Sequence, residues 1–230
     1  MNVLVFTSNS LRHLSLLAKL ERAGHRVWAY VEVPASGPRH TPAYWARVAK
    51  AEREVFPEAG WDNCRINVIP MGAASEHARI PDPVPERVVV FGSSYLRGVL
   101  ADRLIELGAI NLHAGVAPQY RGAACNFWAQ YDGHWDLVGA TIHLLGRGLD
   151  SGPILDTVTG SPFIDDPWLR SMQVLHTAQQ ILVADLPRRE LHTTEQNGDE
   201  LIRYSRAADF TPAVAEEFLH RYAPEVALHA

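Results

Sequence analysis

The first thirty-three residues constrain the fold more than any other stretch. "NVLVFT" (2–7) is a short apolar, β-branched run with the character of a buried strand. "SNS" (8–10) follows with side chains suited to capping a helix. Leucines at 11, 14, 16, 17 and 20 recur at helical spacing, and Gly24 ends that segment. "HRVWAYVEV" (25–33) reads as a second strand. A helical crossover returns the chain to the same end of the sheet, so the two strands run parallel. The expectation is an α/β protein, Rossmann-like, with a mostly parallel twisted sheet and helices on both faces.

The alternation continues. After a loop at 33–42, "AYWARVAKAEREVF" reads as a helix closed by Pro57 and Gly60. "CRINVIPMG" reads as a strand, 72–87 as a loop, and "ERVVVFGSSYLRG" as a buried strand with Gly92, Ser93 and Ser94 at its end. A helix from Leu96 to Glu106 precedes a strand at 109–113, and "ACNFWAQYDG" reads as the next helix. "LVGATIHLLG" and "GPILDTVTG" are strands, and 166–184 is an amphipathic helix. In the tail, Asn197-Gly198 between β-capable segments predicts a hairpin. Thr211-Pro212 opens a last helix. With 230 residues, the chain reads as one domain over 1–184 and an extension over 185–230 packed on it, not an independent domain.

A formal net charge of −5 gives no general attraction to nucleic acid or to an anionic membrane. The N-terminus lacks a basic segment followed by a long apolar one, and no apolar run is long enough to span a bilayer. Cys64 and Cys125 are too few for a disulfide framework, and the histidines show no metal-ligand spacing. The expectation is a cytoplasmic protein without a metal. Neither a dinucleotide fingerprint nor a Walker sequence occurs.

"AINLHAGVAPQYRGA" (109–123) carries the chemistry. Asn111 and His113 share one face of a strand end, with Leu112 on the other, and Pro118 and Gly122 mark irregular backbone beyond. "GRGLDSGPIL" (146–155) adds Asp150 between glycines, where it is either a turn cap or the carboxylate partner of the imidazole. Amide, imidazole and carboxylate together suit acyl transfer to an amine, with no enzyme nucleophile required. His143 shares a face with Thr141 and either lines the same cavity or is a buried structural histidine. Tyr120 and Arg121 are candidates for ligand contact, although Arg121 could equally tie its loop to a carboxylate. Cys125 reads as a buried structural thiol, and Trp128 with Tyr131 as core packing.

With "NLHAGVAPQYRGA", "GATIHLL" and "GLDSGPIL" in this order, the chain resembles the folate-dependent formyltransferase family, closely over 88–158 and more loosely over 1–87. The resemblance implies N10-formyltetrahydrofolate as donor co-substrate and a primary amine as acceptor. It implies that Asn111, His113 and Asp150 are catalytic, with Asp150 holding the histidine charged. It places the pterin against Ser94, Tyr95, Leu96 and Arg97, and against Gly146, Arg147, Gly148 and Leu149. Asn9, Arg12, Tyr120, Arg121 and His143 are the acceptor-side candidates, and His13 beside Arg12 could meet an anionic acceptor or lie plainly at the surface.

Departures from the family narrow the acceptor. Ala114-Gly115 stands where many relatives have Pro-Ser, and "TSNSLRH" replaces the glycine-rich phosphate-gripping loop of glycinamide ribonucleotide transformylase. About seventy residues follow the core, too few for the C-terminal barrel of a methionyl-tRNA formyltransferase, and no room precedes the first strand for a hydrolase's regulatory domain. A nucleotide-linked amino sugar is the leading expectation. Glycinamide ribonucleotide, a secondary-metabolite amine, and a non-catalytic folate- or ligand-binding role are the alternatives. The tail could serve a homodimer contact or an acceptor wall.

Overall fold

The computed structural model describes residues 1–35, 41–57, 62–188 and 190–223. The loop read at 33–42 lies partly outside the described residues, and Gly60 wholly so. In chain order the elements are β1 (Asn2–Ser8), α1 (Leu11–Arg22), β2 (Arg26–Val33), α2 (Pro42–Val55), β3 (Arg65–Pro70), α3 (Ala74–His77), β4 (Arg87–Phe91), α4 (Gly98–Glu106) and β5 (Ile110–His113). They continue as β6 (Tyr120–Gly122), α5 (Cys125–Tyr131), β7 (Gly139–Leu144), β8 (Ile154–Thr159), α6 (Pro167–Asp185), β9 (Arg203–Ser205) and α7 (Pro212–Tyr222).

Seven strands form one sheet in the order β3-β2-β1-β4-β5-β7-β8. The pairs from β3 to β5 are parallel, while β7 and β8 join antiparallel at one side. Side chains alternate faces along a strand, and β1 shows the result. Val3 and Val5 enter a core shared with α1, α2, α5 and α6, whereas Leu4 and Phe6 enter a second core with α3 and α4. Helices therefore cover both faces, as the opening strand–helix–strand unit predicts.

Local chemistry accounts for the ends. Asp166 caps α6 by accepting from the Leu169 N–H at 2.8 Å, and Thr211 caps α7 by accepting from Val214 N–H at 3.4 Å. Ser10 precedes α1 without a side-chain cap, so the expected capping role of "SNS" is not used there. The loop expected at 72–87 contains the short helix α3.

The tail departs from expectation. Asn197-Gly198 makes no hairpin: Asn197 Oδ1 accepts from the Asp199 N–H at 3.1 Å and caps a single 3-10 turn. β9 instead pairs parallel with β6, residue Tyr120 opposite Arg203, and Thr194 bridges to Ile154. Both backbone stretches find their partners on the main body rather than on each other. α7 packs Phe218, only 1% exposed, into the larger core.

Candidate active site

β5 ends where the sheet changes from parallel to antiparallel, and its register builds the site. Asn111 lies opposite Val90 of β4 on one side and opposite His143 of β7 on the other. Cross-strand neighbours this close can hydrogen-bond. The His143 ring donates from Nδ1 to the Leu144 carbonyl at 2.7 Å, which leaves Nε2 to accept from Asn111 Nδ2 at 2.9 Å. Asn111 Nδ2 also donates to Asp150 Oδ1 at 3.2 Å. His143 is buried and orients the Asn111 amide, as the structural alternative expects, and it also lines the cavity described below.

His113 completes the cluster. Its Nε2 donates to the Tyr120 carbonyl at 3.0 Å, so Nδ1 is the nitrogen that faces Asp150 Oδ2 at 3.3 Å. Burial works against charge on Asp150, but attraction to the His113 and His143 imidazoles when these carry a proton, together with the Gly122 N–H donating at 3.0 Å, outweighs it and lowers the carboxyl to about 2. The amide donors at Gly122 and Asn111 support that ionised form without a charged imidazole. Burial also dominates at His113, lowering its pKa below the usual histidine value although Asp150 pulls the other way. Burial therefore works toward a neutral resting histidine, against the expected pull of Asp150 toward the charged form. An unprotonated Nδ1 beside a carboxylate is instead a base whose protonated form already has its counter-ion.

Asp150 lies between strands at a left-handed φ of 48°, a conformation that side-chain-bearing residues seldom adopt. A residue that sequence reasoning missed secures it. Gln196 Nε2 donates to the carbonyls of Asp150 at 3.0 Å and Gly152 at 2.7 Å, while its Oε1 accepts from Arg121 at 2.7 Å. Arg121 thus ties its loop to the tail amide rather than to a carboxylate. Nothing near Gln196 in sequence signals this role.

Ser93, Ser94, Tyr95 and Leu96 form one wall of a cavity that ends at Asn111, His143 and Asp150. Gly146, Gly148 and Leu149 form the other, over a floor of Val90, Ala101 and Leu145. An apolar slot edged by backbone groups suits a flat bicyclic ring. Tyr95 Oη donates across the slot to the Arg147 carbonyl at 3.0 Å. The Arg147 and Arg97 side chains are exposed and face Asp102 and Glu76, outside the slot. A second residue unmarked in the sequence reading, Glu32 at the end of β2, is buried beneath the first wall. It accepts from the Ser94 N–H at 2.5 Å, Ser94 Oγ at 2.7 Å, the Gly72 N–H at 3.0 Å and the Ala74 N–H at 3.2 Å. A lone Glu in the apolar run "YVEV" was its only signal.

Three acceptor-side expectations change. Tyr120 is fully buried, its hydroxyl donating to Asp132 at 3.2 Å, so it is wall rather than contact. His13 is not at the surface: it is buried, hydrogen-bonded to Ser8 Oγ at 2.5 Å and edge-on to Phe91. Arg12 pairs with Glu52. Asn9 is exposed near the end of β1. Cys125 is buried, and burial raises its thiol pKa, as expected for a structural cysteine. Trp128 and Tyr131 pack edge to face at 5.5 Å. The Ala114-Gly115 departure also has a local cause. A Cβ at Gly115 would lie 2.4 Å from Cys125 Cβ and 2.7 Å from His113 Nε2, so a serine there would displace the histidine.

Among the described residues, no group of three or more His, Cys, Asp and Glu is arranged to hold a metal ion, and no helix is long and apolar enough to cross a membrane. A Rossmann-like sheet with a polar amide–imidazole–carboxylate cluster at its central strand ends is the class that fold and site define. Comparison with known proteins makes it specific. Residues 85–183 match the formyl transferase family model, which bears out the resemblance drawn from the motifs. Methionyl-tRNA formyltransferase of Thermodesulfovibrio yellowstonii is 41% identical over 71 residues, 30% of this chain but only 21% of that protein. In fold, the chain is similar to formyltransferase PseJ from Anoxybacillus kamchatkensis, solved with UDP-4,6-dideoxy-4-formamido-L-AltNAc and tetrahydrofolate. That match has a TM-score of 0.60 at 16% identity and covers 91% of this chain and 87% of that one. Glycinamide ribonucleotide transformylase 1 from Symbiobacterium toebii matches with a TM-score of 0.57 at 14% identity, covering 86% and 94%.

Proposed function

We propose that the protein transfers a formyl group from N10-formyltetrahydrofolate to the primary amine of a small molecule in the cytoplasm, a nucleotide-linked amino sugar first among the acceptors. The observation that carries this reading is the convergence of Asn111, His113 and Asp150, with Asn111 and Asp150 lining the end of the slot.

The donor supplies an activated formyl carbon, and the slot between Ser94–Leu96 and Gly146–Leu149 would hold its pterin. The amine nitrogen forms a bond to that carbon, and negative charge develops on the formyl oxygen. Asn111 donates to this oxygen by giving up its longer contact, the one to Asp150. His113 Nδ1 takes the amine proton, directly or through water, and becomes an imidazolium against Asp150. The carbon–nitrogen bond to the folate then breaks, and the proton passes to the departing folate nitrogen. Holding both reactants in one cleft contributes several kcal/mol, of the order of 7–11 for well-oriented groups.

The test is a transfer assay with N10-formyltetrahydrofolate and a panel of amines: nucleotide-linked amino sugars, glycinamide ribonucleotide, simpler amines and charged methionyl-tRNA. Mass spectrometry follows one added formyl group, and absorbance follows release of tetrahydrofolate. A formylated amino sugar supports the full reading, and formylated glycinamide ribonucleotide keeps the chemistry while replacing the acceptor. No folate turnover with any amine would leave a binding role and overturn the enzymatic one. His113→Asn is expected to abolish transfer while folding and folate binding persist, and retained turnover in that variant would sink the role given to Nδ1.

A further inference from the structure

A second cavity shares no lining residue with the slot at Asn111 and Asp150 and is built differently. Ala114 and Ala124 border it beside the catalytic cluster, and Tyr44, Trp45, Phe127, Trp168 and Phe218 form its walls. Two of those walls come from α2, and Phe218 comes from α7, so the tail contributes directly. Arg12 is the only charged side chain lining it among the described residues, and Glu52 already neutralises Arg12.

Several polar side chains that line this cavity are incompletely satisfied, at atoms closed off from solvent. Asn126 Oδ1 accepts from the Gly139 N–H at 2.8 Å, which fixes the amide and leaves Nδ2 without a partner among the described residues. Gln130 Nε2 donates to the Asn126 carbonyl at 2.8 Å and Ser171 Oγ at 3.1 Å, which fixes that amide and leaves Oε1 without one. The residues are only 6% and 2% exposed. The indole N–H groups of Trp45 and Trp168, which line the same cavity, are also unpartnered among the described residues. A buried donor or acceptor left unmet is costly, and an aromatic-walled cavity holding several is a recognition pocket waiting for its complement.

Resting on the formyl-transfer reading for which amine is meant, we infer that this pocket receives the uncharged ring carrying the acceptor amine. It reads that ring by its apolar faces, by a hydrogen-bond acceptor presented to Asn126 Nδ2 and by a donor presented to Gln130 Oε1. Any phosphate of the acceptor stays outside, because no unpaired cation lines the pocket among the described residues. An amino-deoxysugar and an aromatic amine share this chemistry.

Binding tests the pocket without the reaction. The wild-type protein, free of folate, is titrated with the methyl glycoside of an amino-deoxysugar, with an aryl amine carrying an amide, and with inorganic pyrophosphate. Tryptophan fluorescence and calorimetry are the readouts. Saturable binding of either neutral ring is expected, and which ring binds distinguishes the two sources. Trp45→Phe and Gln130→Met each remove one unmet group and should weaken that binding by roughly three- to tenfold, the effect of one hydrogen bond. Trp45→Phe should leave the free protein's melting unchanged. Binding by pyrophosphate alone, or by none of the probes, overturns the pocket assignment. Neutral-ring binding that neither variant weakens overturns it equally. Ring binding without any formyl transfer would retain the pocket and remove the proposed reaction, whereas transfer without ring binding would do the reverse.

Discussion

Asp150 shows what a single residue can and cannot reveal in a sequence. Its place between glycines is readable as a turn, and its chemistry is readable beside Asn111 and His113. Its left-handed backbone and the amide that secures it are not readable, because Gln196 is 46 positions away. A non-glycine residue held in that region costs of the order of 1–3 kcal/mol unless its surroundings enforce it. Gln196→Glu keeps a partner for Arg121 but loses both hydrogen bonds to the Asp150 loop. We expect kcat for formyl transfer to fall at least tenfold, about 1.4 kcal/mol in the transition state, with the folate KM nearly unchanged. Steady-state kinetics checks this. A loss confined to melting temperature would make Gln196 merely structural. The roles of Tyr120 and His13 misled sequence reading for one reason: both types are common at ligand sites, and only burial separates those uses.

At the scale of elements, the sheet followed from alternating apolar runs and helical spacing, and those signals are local. The partner of β9 was not legible, since pairing between residues 120–122 and 203–205 leaves no local signature. Gly122 is the hinge of that pairing. Its φ is 102°, and an added Cβ would sit 2.0 Å from the Ser205 carbonyl oxygen while its own N–H holds Asp150. Gly122→Ala should therefore separate β6 from β9 and destabilise the protein by roughly 1–3 kcal/mol. Denaturant titration checks the size. Activity should fall further than stability alone explains, because the N–H donor to Asp150 moves with the backbone. Full activity in the Gly122→Ala variant would show that the two strands do not set the carboxylate.

For the whole molecule, two buried histidines couple stability to pH. Burial lowers the pKa of His13 and of His113 below the ordinary value of 6.5, so both take up protons less readily in the folded protein than in the unfolded chain. The unfolded chain binds protons at those sites as pH falls below about 6.5, and the folded one binds fewer, so stability is full above that value and declines beneath it. Asp150 adds a later loss, between its ordinary 3.8 and about 2. Unfolding free energies measured in denaturant across this range should fall first near pH 6, and His13→Asn should flatten that first decline. A pH-independent wild type would contradict the buried neutral state. The resemblance to formyltransferases was legible because Asn111, His113 and Asp150 sit in two compact motifs, whereas the second cavity draws on α1, α2, α5, α6 and α7 and has no local signature.

The bridge from Gln196 to the Asp150 loop also has a temporal side. During synthesis, every strand of the main sheet and all three proposed catalytic groups leave the ribosome before the residue that fastens them together. A nascent chain ending near position 190 already carries Asn111, His113 and Asp150, yet it lacks the clasp at Asp150, the partner of β6 and the Phe218 wall. The clasp is thereby set only after the motifs it secures, and a chain cut short of residue 196 carries those motifs without it.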